Sequence, residues 1–121
     1  MTEPNIPDSL STEDRGHIDA FVKNMNDIIE TYTIQNAKYG SSWTRDGLDA
    51  RILFCEIHGK YCRLRQLIWK DWDKIKSADH RARIVETLND LILYALMITR
   101  RIETEEGAVD PTLVRKMVEK T

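Results

Sequence analysis

Cysteine, proline and glycine are scarce in this chain, and neither sign of charge dominates. Two cysteines, three prolines and five glycines among 121 residues exclude a disulfide scaffold, a proline-rich chain and a glycine-rich linker. Cys55 and Cys62 fall on one predicted helix, about 10 Å apart along its axis, too far to bond to each other. Eighteen basic residues stand against twenty acidic ones, for a formal net charge of −2. No nucleic acid polymer is therefore expected as a partner, because neutralising a run of phosphates takes a basic excess on one surface. The longest apolar run, Leu91 to Ile98, is far short of the ~20 residues a bilayer requires, so no membrane partner is expected either. Met1 to Asp8 has neither a basic nor an apolar leader pattern, and a cytoplasmic location follows as the expectation.

What is present is helical periodicity. A hydrophobic share of 41% with 31% charged residues fits an all-α protein: a compact bundle of three long helices plus a short C-terminal one. Residues 1–10, with two prolines, read as a flexible arm, and 11–121 as a single domain. Ser11 with Asp14 resembles a capping box, and the first helix is expected over 12–37, ended by Gly40. The second is expected to begin near Asp46 and run to about Lys74. Its core face would hold Leu53, Phe54, Ile57, Tyr61, Leu64, Leu67, Ile68 and Trp72. The third, over 79–105 behind a Ser77 cap, carries apolar residues around most of its circumference and is expected to be central and buried nearly all round. Arg83, Glu86, Asp90, Tyr94 and Arg101 form its narrow polar side. A last helix follows Gly107, with Asp110 as N-cap, Pro111 first, and Leu113, Val114, Met117 and Val118 as its apolar face.

Two places carry candidate chemistry. The break Lys38 to Gly47 combines Tyr39 and Trp43, whose flat faces suit a base, with Lys38 and Arg45. A plain helix connection whose tryptophan plugs the core would use the same residues. Glu86 and Asp90, one helical turn apart, need a positive partner if they are desolvated. Lys60 and Arg63, with Glu56 in the same strip of the second helix, are the natural partners. Three arrangements stay open. Glu56, Glu86 and Asp90 could hold Mg²⁺ for attack of water on a nucleotide; the carboxylates could orient cations that bind phosphate with no metal; or the set could be a structural ion-pair network. On the far side, Cys55, Cys62 and Trp69 form a second apolar strip, which suggests contact with another subunit of a homo-oligomer. Cys55, His58 and Cys62 are too few and too far apart for a closed zinc site.

The blocks Lys38-Tyr39-Gly40-Ser41-Ser42-Trp43, Gly47-Leu48 with Arg51, Lys60-Tyr61-Cys62-Arg63-Leu64, and Glu86-Thr87-Leu88-Asn89-Asp90-Leu91 with Tyr94-Ala95-Leu96 resemble the nucleotide-modification-associated domain family. That family is small, all-helical and common in bacteriophages, and the resemblance covers about residues 33 to 100. A more distant likeness is to the MazG-like all-α nucleotide pyrophosphohydrolases, whose Mg²⁺ sites use paired acidic motifs on two helices. Glu86 and Asp90 match the second of these motifs. The first is broken, because Lys60 stands where a second acid would follow Glu56. The resemblance implies binding or sequestration of a nucleotide or nucleotide-derived signal without turnover and with no required cofactor, of use to a phage against host defence. Lys38, Tyr39, Trp43, Arg45, Arg51, Lys60, Arg63, Glu86, Asp90 and Tyr94 would form the site. A Mg²⁺-dependent pyrophosphohydrolase using Glu56, Glu86 and Asp90 is the enzymatic alternative, and a protein-binding adaptor the third.

Overall fold

The computed structural model describes residues 5–39 and 49–120, without the side chains of Lys38 and Tyr39. Among these residues there is no β-strand, and the all-α expectation holds. The chain divides into two compact units, Met1–Ser42 and Trp43–Thr121.

The first unit is built on α1, Thr12–Tyr39. Ser11 Oγ accepts the Asp14 amide at 3.1 Å, the first half of the expected capping box. The residues before it are held to the helix by one side chain. Arg15 donates to the Leu10 carbonyl at 3.3 Å and to the Pro7 carbonyl at 3.1 Å. Gly40, read from the sequence as the helix stop, lies outside the described residues.

In the second unit α2 runs Ala50–Leu64, continues as a π-helical turn Arg65–Lys70 and closes with a 3₁₀ turn Trp72–Lys74. Two details differ from the helix expected over 46–74. The N-cap is Asp49, whose carboxylate accepts the amides of Arg51 and Ile52 at 2.9 and 3.1 Å. The α-helix also stops ten residues early, and the cause lies in the next helix. In a continued α-helix the Leu67 carbonyl would accept the Asp71 amide. Here Asp71 donates instead to the Gln66 carbonyl at 2.9 Å, and the Leu67 carbonyl is taken by Nε2 of buried His80 at 2.8 Å. The wider turn therefore does not strand the Leu67 carbonyl.

Helix α3 runs Ala78–Glu106 behind the Ser77 cap and ends at Gly107, whose φ of 114° is open to glycine and strained for other residues. Helix α4, Pro111–Glu119, has the expected Asp110 cap and Pro111 start. Helices α2 and α3 pack against each other. Their register is antiparallel: Arg51 feels the charge of Glu105, Lys60 meets Asp90, and Leu67 meets His80. Leu53 and Leu64 of α2 and Ile84 and Thr87 of α3 are buried. Thr87 is the most enclosed of them, and its hydroxyl returns to the Arg83 carbonyl at 2.8 Å.

The core is narrower than the apolar pattern suggested. Phe54, Tyr61 and Trp72 were expected inside and are each more than half exposed. On α3, Val85, Leu88, Ile92, Leu96 and Ile102 are exposed, so this helix is not buried all round. Within the second unit α2 and α3 cover one stripe of each other, and residues about 70° or more off that stripe are exposed. The apolar face of α4 is likewise exposed at Leu113, Val114, Met117 and Val118.

Candidate functional site

At 100° per residue, Lys60 lies roughly 30° to one side of the direction in which Leu53 and Leu64 point, while Phe54 and Tyr61 lie roughly 70–90° to the other. On α3 Asp90 lies about 90° to one side of Ile84 and Thr87, with Leu88 and Ile92 on the opposite side. The contact that aligns the two helices is polar: Lys60 Nζ stands 3.1 Å from Asp90 Oδ2. The α2–α3 pair consequently has one charged flank and one apolar flank.

The charged flank keeps access to solvent, with the Lys60 side chain 28% and the Asp90 side chain 40% exposed. An ammonium carries three N–H donors. Asp90 holds this ammonium as an ion pair on the flank. Arg63 is exposed one turn further along α2, Glu56 and Glu86 are exposed, and Tyr94 is half-buried. Glu56, Arg63 and Glu86 join no ion pair among the described residues.

At the end of the hairpin where α2 begins, Arg51 Nη2 lies 3.0 Å from Asp49 Oδ2. This hydrogen bond is the main cause that holds the Asp49 carboxyl below the usual aspartate range, with the Ile52 amide adding to it. Asp49 in turn raises the Arg51 guanidinium, with a smaller contribution from Glu105. Arg51, a candidate phosphate ligand, is thus already engaged by the helix cap. Arg101, only 17% exposed at its side chain, meets Glu105 at 2.6 Å. These charges bound the end of the hairpin.

The aromatic candidates Tyr39 and Trp43, and the cations Lys38 and Arg45, fall outside the described side chains. Among the described residues no three of His, Cys, Asp and Glu stand together so as to hold a metal ion. Glu56, Glu86 and Asp90 are therefore not gathered into a ligand set, and Asp90 faces a cation. Cys62 Sγ lies 3.6 Å from His58 Nε2, on the exposed side of α2.

Sequence reasoning missed three features. His80 and Thr87 carry no periodic signal of their own, because each is a buried polar residue whose side chain serves a backbone carbonyl. The third is an open groove of about 690 Å³ on the apolar flank, lined by Tyr61, Leu64, Arg65, Ile68 and Trp69. It follows from the π-helical turn, which shifts Trp69 onto the line of Phe54, Tyr61 and Arg65. Among the described residues no helix is long and apolar enough to cross a membrane. No protein-family model, curated protein or solved structure matches the chain.

Proposed function

We propose that this protein binds a nucleotide or nucleotide-derived signalling molecule through its phosphate groups and does not turn it over. The observation that carries the reading is the Lys60–Asp90 contact of 3.1 Å on a solvent-reached flank. A carboxylate that orients an ammonium while leaving donors unused is a preorganised phosphate contact. Arg63 adds a planar fork able to hold two phosphate oxygens, and Tyr94 supplies a hydroxyl on the same side of α3. Trp43 is the residue offered for stacking the base, and Arg45 for added charge. The family resemblance supports the same ligand class. The facing of Asp90 to a lysine favours direct phosphate contact over an ion held by Glu56, Glu86 and Asp90, so no hydrolytic step is assigned.

Thermal unfolding in the presence of mono-, di- and triphosphates and cyclic dinucleotides, with and without Mg²⁺, tests this directly. A ligand at one hundred times its Kd stabilises the fold by about 2.7 kcal/mol, a readily measured rise in Tm. The rise is expected without Mg²⁺ and is expected to vanish in Lys60→Ala. Release of pyrophosphate would move the protein to the pyrophosphohydrolase alternative.

A further inference from the structure

Within the second unit, the described residues leave one apolar flank of the α2–α3 pair exposed. Phe54 is 64%, Tyr61 58% and Trp69 80% exposed, and they follow one line along α2 and its π continuation. Leu88 and Ile92 of α3, each also exposed, lie on the same flank of the pair. We infer that this flank is where two copies of the chain associate, antiparallel across a two-fold axis near Tyr61 and Cys62.

Two properties of the surface select a second copy as the occupant. The first is area. At roughly 150–250 Å² per aromatic side chain, the exposed fractions of Phe54, Tyr61 and Trp69 amount to roughly 300–500 Å². With Arg65, Ile68 and the two α3 residues, the flank approaches the ~800 Å² that each partner contributes to a stable interface. The second is self-complementarity. Along the row Phe54, His58, Tyr61, Arg65, Trp69, the positions on either side of Tyr61 and Cys62 match in spacing. An antiparallel copy therefore sets Phe54 against Trp69 and His58 against Arg65, and each contact occurs twice, as an isologous interface requires. Arg65 is the only formally charged residue in the row. It lands beside the partner's imidazole and Tyr61 ring, a cation–π arrangement, and away from its own copy. The groove beside Trp69 then receives the Phe54 ring of the second copy. The mixed core of aromatics with one arginine is the composition of interface centres.

Sedimentation of the full chain across the micromolar range tests the inference. The wild type is expected as a dimer or an even-numbered assembly of dimers. Trp69→Glu and Phe54→Glu are expected to shift it to smaller species by at least tenfold in dissociation constant, with helix content by circular dichroism unchanged. A wild type that stays monomeric, or variants that associate as before, would overturn it. A second measurement stands even if these variants fail to fold. Cys62 lies near the proposed axis and Cys55 away from it, so a short thiol cross-linker should join two chains in Cys55→Ser and not in Cys62→Ser. The reverse pattern, or no cross-link in either, counts against the antiparallel register.

Discussion

His80 illustrates how much a single buried polar residue can decide. Its Nε2–H supplies the bond that the Leu67 carbonyl loses when the helix widens, and the imidazole is almost fully enclosed. Removing one partner strands a part-buried acceptor, so His80→Ala should cost about 1–3 kcal/mol in denaturant unfolding. The sequence could not reveal this contact, because the partner is a main-chain carbonyl thirteen residues away and carbonyls leave no pattern. Asp49 gives a pH prediction. Its carboxyl titrates below the ordinary aspartate value when folded, chiefly through the Arg51 hydrogen bond. The stability it contributes is present above the unfolded value and is lost as pH falls through the folded one. Helicity followed by circular dichroism should therefore fall on acidification more in the wild type than in Asp49→Asn.

At the scale of the helices, termini were easier to read than faces. Ser11, Ser77, Asp110, Pro111 and Gly107 announce their caps and breaks through side-chain chemistry that acts within a few residues. The end of α2 is different, since Ile68 and Trp72 continue the apolar spacing through the π turn and hide it. The same continuity made Phe54 and Tyr61 look like core, although only Leu53 and Leu64 of this face are buried. What was legible was the charged side, where Lys60 does meet Asp90. Two variants check the packing of this pair. Leu53→Ala should cost about 2–5 kcal/mol by leaving a cavity, and Thr87→Leu about 1–3 kcal/mol by overfilling a fully enclosed position. Urea unfolding midpoints read both.

For the molecule as a whole, the two sides of the α2–α3 pair differ in chemistry, with charge on one and aromatic surface on the other. The aromatic segment before α2, on which base recognition would rest, was legible only as a set of residue types. Phosphate contact through Lys60 should weaken as salt is raised, because the site reaches solvent. Self-association through Trp69 should respond little. The central claim is phosphate recognition at Lys60, and calorimetric titration of nucleotides into wild type, Lys60→Ala and Arg63→Ala, without Mg²⁺, tests it most directly. Saturable binding to the wild type, weakened at least tenfold (about 1.4 kcal/mol) in each variant at unchanged Tm, is the predicted result. No binding of any nucleotide to the wild type, or equal affinity in Lys60→Ala, would contradict it.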